Sequence, residues 1–167
     1  MSEPAQSPRE VLSSSWRLEP ASLAEAEGRL RGHGVHVAGA TPSLLGRAGE
    51  VAAWLSEHRH EVASFVVLDD VDLCPAGFPT ALGRALVGGC VVVDGAVGLT
   101  DADAERALEI LVADPAAARA RVDAAVEAFE REAAVDGALE RGAAGPAGAS
   151  RGAAAEEDLM LEGGRAP

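Results

Sequence analysis

Apolar and polar positions along this chain alternate between two rhythms, short continuous apolar runs and helical i, i+3, i+4 spacings. Val11-Leu12 turns polar at once through Ser13-Ser14-Ser15-Trp16-Arg17, as a buried strand does where it meets a loop. Glu19 to Leu30 places Leu23 and Leu30 seven apart, with Ser22 available as N-cap and Gly32 and Gly34 beyond, which predicts a helix. Val35 to Ala40 alternates and stops at Thr41-Pro42, a strand followed by a loop. Arg47 to His58 carries Val51, Trp54 and Leu55 on one helical face, so Trp54 is expected to face the core. Ser64-Phe65-Val66-Val67-Leu68 is an unbroken apolar run of the kind buried on both faces of a parallel sheet, and it ends in Asp69-Asp70.

The second half continues the pattern. Cys90-Val91-Val92-Val93 predicts another strand, and Thr100 then caps a helix with Asp103 at its third position and Ala104, Leu108 and Leu111 inward. Asp114-Pro115 starts a further helix whose Val122, Val126 and Phe129 share a face. Strands alternating with helices in this order predict an α/β fold with a doubly wound parallel sheet.

Composition sets the extent of that fold. Of 167 residues 48% are hydrophobic, but 36 alanines make up nearly half of these, and only eight of the larger apolar residues lie beyond residue 113. One α/β domain over 10–113 is therefore expected, then a helix over 114–141 and a disordered low-complexity tail over 142–167. The tail's apolar residues cluster at Leu159, Met160 and Leu161 beside Glu156, Glu157 and Asp158, either a solvated segment or a short partner-binding motif. No apolar run reaches the roughly 18 residues of a membrane span, and Met1 to Glu10 has neither a basic start nor an apolar centre, so a cytoplasmic location is expected.

Charge and the reactive side chains narrow the function classes. Fourteen arginines, no lysine and 27 acids give a net charge of −13, which opposes a broad nucleic-acid-binding or membrane surface while leaving room for local phosphate binding. Cys74 and Cys90 lack metal-site spacing and read as small buried hydrophobes. The pairs His33/His36 and His58/His60 read as surface residues or helix-end cations rather than as zinc ligands. In a parallel sheet, ligands bind beyond the carboxyl ends of the strands, which brings together Ser13/Ser14, Arg47 and Asp69/Asp70. The two acids either hold a hard cation such as Mg²⁺ or simply open a loop and cap its turn.

The ordered set Val11-Leu12-Ser13-Ser14-Ser15-Trp16-Arg17, Thr41-Pro42, Arg47 to Leu55, Phe65 to Asp70 and Gly98-Leu99-Thr100 resembles the haloacid dehalogenase (HAD) superfamily, and within it the HAD domains of Swiss Army Knife RNA-repair proteins. The resemblance covers about residues 10–112. It implies that Ser13 and the neighbouring Ser14 hold a phosphoryl group, that Arg47 neutralises it, and that Asp69 and Asp70 bind Mg²⁺. It also implies a nucleophilic aspartate in an Asp-x-Asp motif, on a strand that precedes the serine motif and lies mid-sheet between the serine and Asp69 strands. No aspartate precedes Asp69. Asp70-Val71-Asp72 has the form of that motif, but the only serine after residue 73 is Ser150, so it fits the later acidic motif instead.

Three readings follow. The first is a HAD-like domain, truncated at its N-terminus, without the nucleophile and without phosphatase activity, that keeps a residual phosphate and Mg²⁺ site for a phosphorylated ligand. The second is a Mg²⁺-dependent HAD phosphatase, acting on nucleic-acid ends, whose first strand is missing from this chain. The third is a non-enzymatic module that engages a partner protein through the C-terminal helix.

Overall fold

The computed structural model describes residues 9–44, 46–75 and 80–143. The expected tail therefore lies, from residue 144 on, outside the described residues. Two β-α-β units make up the frame. In the first, β1 (Glu10–Leu12) and β2 (Val37–Ala40) pair in parallel across helix α1 (Pro20–Gly32). In the second, β3 (Val67–Asp69) and β4 (Cys90–Val92) pair in parallel across α3 (Ala81–Leu86). Helix α2 (Arg47–Glu57) links the units, and α4 (Asp101–Leu111) and α5 (Pro115–Ala143) follow β4. The α/β class and the parallel pairing match expectation. Among the described residues the strands form two separate two-stranded sheets, not one continuous sheet.

Local chemistry accounts for the helix ends. Thr100 and Asp103 form a reciprocal capping box at α4, and Asp114 accepts the Ala117 N–H in front of α5, both as expected. Ser22 does not cap α1. Pro20 takes the first turn, Glu19 holds the N-cap position, and the Ser22 hydroxyl donates to the Glu19 carboxylate at 2.9 Å. At the end of α2, Trp54 and His58 stack with centroids 4.0 Å apart, and His58 Nδ1 donates to the Trp54 carbonyl at 2.9 Å.

The core gathers around α2, α3 and α5. Val51, Leu55, Phe65, Val67, Leu82, Leu86, Val122 and Val126 are buried together, with Trp54 and Phe129 packed against them. The Val122/Val126/Phe129 stripe is thus taken up by packing inside the chain and is not presented to a partner. Gly89 sits so close to the Phe65 ring that a Cβ there would meet it at 2.5 Å, so a side chain at the turn into β4 would have to displace that ring from its place in the core. The first unit contributes little to this core, since Ala26 and Thr41 are its only buried residues among those described.

Candidate functional site

The carboxyl ends of β1 and β3 are joined by a chain of four charged side chains. Arg17 lies in the 3-10 turn Ser15–Leu18 that follows β1, and its side chain is only 3% exposed. Its five N–H donors have five acceptors: Nε meets the Thr41 carbonyl at 2.9 Å, and Nη1 meets the Ser13 and Ser14 carbonyls at 2.6 and 2.8 Å. Nη2 meets the Pro42 carbonyl at 2.9 Å and Glu50 Oε1 at 2.7 Å. The guanidinium therefore clasps the loops after β1 and β2 and fixes where the Ser13-Ser14 turn sits. Nothing in the sequence marks Arg17 for this task, because four of its five acceptors are backbone carbonyls, which carry no residue signature.

Glu50, buried in the first turn of α2, passes the connection on. Its Oε1 also accepts the Leu44 N–H at 3.3 Å, while Oε2 lies 3.6 Å from Arg47 Nη1. Arg47 in turn places Nε 3.1 Å from Asp69 Oδ2. Neither Nε nor Nη1 of Arg47 makes a directed hydrogen bond, although both atoms are buried, so these approaches are ionic only. The Thr41 hydroxyl is likewise buried without a partner. Asp69 closes the chain with a second task, its Oδ1 accepting the Val71 N–H at 3.0 Å. The loop-opening role weighed for Asp69 thus falls on Oδ1, while Oδ2 faces Arg47.

Ser13, Ser14, Arg47 and Asp69 are in this way tied into one network. Asp70 points elsewhere: it is exposed, and its carboxylate lies over Gly95, where a Cβ would stand 3.0 Å from Oδ2. Trp16 does not pack beneath the serine turn but is 56% exposed. It borders an open hollow of about 350 Å³ with Leu12, Ser14, Ala26, Arg29 and Leu30. A second cavity, about 280 Å³, lies between the Asp72-Leu73-Cys74 loop and β4 and holds none of the expected site residues. Cys74 and Cys90 line it, and both are half-buried rather than fully buried. Burial first, then the charges of Asp69, Asp72 and Cys74, push the Cys90 thiol up to about 12. Among the described residues no three His, Cys, Asp or Glu side chains gather where they could hold a metal ion, and no helix is long and apolar enough to cross a membrane.

Parallel β-α-β units with a serine turn after β1, an arginine at the start of α2 and Asp69 at the end of β3 make an α/β domain of the kind the sequence resembles, a HAD-like one. The model of one family, described as the HAD domain in Swiss Army Knife RNA repair proteins, matches residues 4–104, and the chain belongs to that family. No curated protein and no solved structure matches it.

Proposed function

We propose that this domain binds a phosphorylated ligand at the carboxyl ends of its strands and does not hydrolyse it. The observation that carries this reading is Arg47, whose Nε and Nη1 are buried without a hydrogen-bond partner at the start of α2. A guanidinium so placed is short of acceptors, and phosphate oxygens are acceptors that it takes in pairs. The Ser13-Ser14 turn, held by Arg17, supplies hydroxyl and backbone N–H donors to the same ligand. Because the family is described from RNA repair proteins, a phosphate at an RNA end is the ligand class to try first. With a net charge of −13, recognition would rest on that terminal phosphate and not on an extended backbone track.

Asp69 and Asp70 are the residues that would hold Mg²⁺. Mg²⁺ usually takes one or two protein carboxylates together with phosphate oxygens and water, a mode that needs no all-protein cage. Bound there, the ion would supply neutralisation of phosphate charge. The geometry does not present this set ready-made: Asp69 Oδ2 faces Arg47 at 3.1 Å, Asp70 is turned over Gly95, and no three possible ligands gather among the described residues. Absence of hydrolysis is proposed because nucleophilic attack of the family's kind uses an aspartate on a separate strand that precedes the serine strand, and residues 1–68 of this chain contain no aspartate.

Isothermal titration of the full chain with inorganic phosphate and with a short end-phosphorylated RNA tests the site. Arg47→Ala is expected to weaken binding roughly tenfold or more, the equivalent of one charge-assisted contact. Unchanged binding in that variant would remove Arg47 from the site. Mg²⁺-dependent turnover of a generic phosphomonoester, lost in Asp69→Ala, would overturn the non-hydrolytic reading.

A further inference from the structure

We infer that the hollow between α1 and the end of β1 is a nucleobase site, in which the indole of Trp16 stacks on the terminal base of an RNA whose end phosphate lies on the Ser13-Ser14 turn. The inference rests on the phosphate-binding reading above and adds to it the part of the ligand beyond the phosphate.

The placement of Trp16 carries the first part. Of the tryptophans and phenylalanines among the described residues, Trp54, Phe65 and Phe129 are taken into the core, whereas Trp16 is left exposed over more than half its surface. Its backbone is nevertheless fixed on both sides. The Trp16 carbonyl accepts the Glu19 N–H at 3.3 Å, and the Arg17 guanidinium holds the Ser13 and Ser14 carbonyls just before it. Leu12 at the end of β1, with Ala26 and Leu30 one turn apart on α1, gives the hollow apolar walls, and its volume of about 350 Å³ is that of a small-ligand site. An exposed ring on a fixed turn beside apolar walls suits a base. Every base has a π face to stack, and a platform positioned beforehand loses little freedom when it binds.

Continuity and charge carry the second part. Ser14 belongs both to the proposed phosphate turn and to the lining of the hollow, and Trp16 lies two residues further on. A nucleotide is built in the same order, phosphate, then sugar, then base. The surrounding unit does not repel it, because residues 9–40 hold four arginines and four glutamates, so the net charge of −13 lies outside this stretch. Arg29 lines the hollow from α1 and pairs with Glu25 at 2.6 Å on an exposed surface, where solvent weakens the pairing. A cation so held can turn to the next phosphate of an RNA, which favours an RNA end over a free nucleotide as the occupant.

The test is calorimetric titration of the full chain with ribose phosphate, adenosine monophosphate and an end-phosphorylated oligoadenylate. The base is expected to raise affinity about tenfold over ribose phosphate, within the range known for one base stacked on one aromatic ring, and the oligoadenylate should bind at least as tightly as the mononucleotide. Trp16→Ala should bring the ratio of the two small ligands to about one, while Trp16→Phe, which keeps a ring, should retain most of the gain. Indole emission reads the same event, quenched by oligoadenylate in the parent chain and unchanged in Trp16→Ala, where Trp54 remains. Equal binding of the two small ligands by the parent chain, or an undiminished ratio in Trp16→Ala, would overturn the base site and leave the phosphate site standing. A mononucleotide that binds more tightly than the oligoadenylate would overturn the assignment to an RNA end. A dimer of the parent chain that Trp16→Ala turns into a monomer would give the hollow to a second copy instead. No binding of these ligands or of inorganic phosphate would overturn both readings.

Discussion

Lysine and tyrosine are the side chains that usually titrate as a protein is taken above neutrality toward strong alkali, and this chain contains neither. Its two cysteines therefore dominate the side-chain proton balance there, and Cys90 differs sharply between states. In the unfolded chain its thiol ionises near 9, whereas in the fold burial, aided by Asp69, Asp72 and Cys74, holds it protonated up to about 12. The unfolded state thus releases its proton first, and linkage makes stability fall as pH rises from 9 toward about 12. Urea unfolding followed across that interval should show a declining limb that Cys90→Ala flattens; an equal decline in the variant would assign the loss to other groups. The same residue marks a limit of sequence reading. That Cys90 follows a short helix and ends up half-buried near Asp69, Asp72 and Cys74 depends on the end of β3 and the loop after it, not on its own apolar context. Arg17 is a sharper case, since its acceptors include the carbonyls of Thr41 and Pro42, 24 and 25 residues away. Ser13, Ser14, Arg47 and Asp69 stand out as candidates because strand ends and residue chemistry point to them, whereas the connection between them runs through backbone atoms and Glu50.

At the scale of elements, what could be read from the sequence follows how much of each element's stability is local. The capping box of α4 and the Asp114-Pro115 start of α5 are written in adjacent residues, and both are present. Helix α3 leaves little trace in the sequence, because its six residues, a glycine among them, do not complete two turns over which an apolar period could show. The strands are shorter than their apolar runs: Ser64 to Leu68 predicted five residues, while pairing spans only Val67–Asp69. Phe65 is buried among helices rather than carried on a paired strand. Helix α5 matters most to packing, since Val122, Ala125 and Val126 have no exposed surface and meet α2 and α3. Val126→Ala removes two buried carbon groups and leaves a cavity, a loss of about 2 kcal/mol. Urea denaturation should register it as a lower midpoint with an unchanged slope. A midpoint within error of the parent chain would mean that α5 is not part of the cooperative unit.

Across the whole molecule, the core is divided unequally between the two β-α-β units. Every member of the buried cluster lies between Val51 and Ala128, and the unit formed by β1, α1 and β2 buries only Ala26 and Thr41 among its described residues. Little apolar burial therefore holds that unit, and the two strand pairs share no backbone pairing that would carry stability from one to the other. What does link them is the Arg17 clasp, since the same guanidinium binds the loops after β1 and β2 and reaches Glu50 on α2, whose own contacts lead through Arg47 to Asp69. Stability should accordingly be graded. In native-state hydrogen exchange, amides of β1, α1 and β2 are expected to exchange through openings smaller than global unfolding, while those of α2 and of α5 around Val122 to Ala128 exchange only with it. Arg17→Lys keeps the charge but offers three donors in place of a planar fork of five. It should speed exchange over residues 10–41 and leave the α2 and α5 amides close to their parent rates. Uniform acceleration across both units would mean that the fold opens as one body and that Arg17 supports it globally; no change in residues 10–41 would mean that the clasp contributes nothing to joining them.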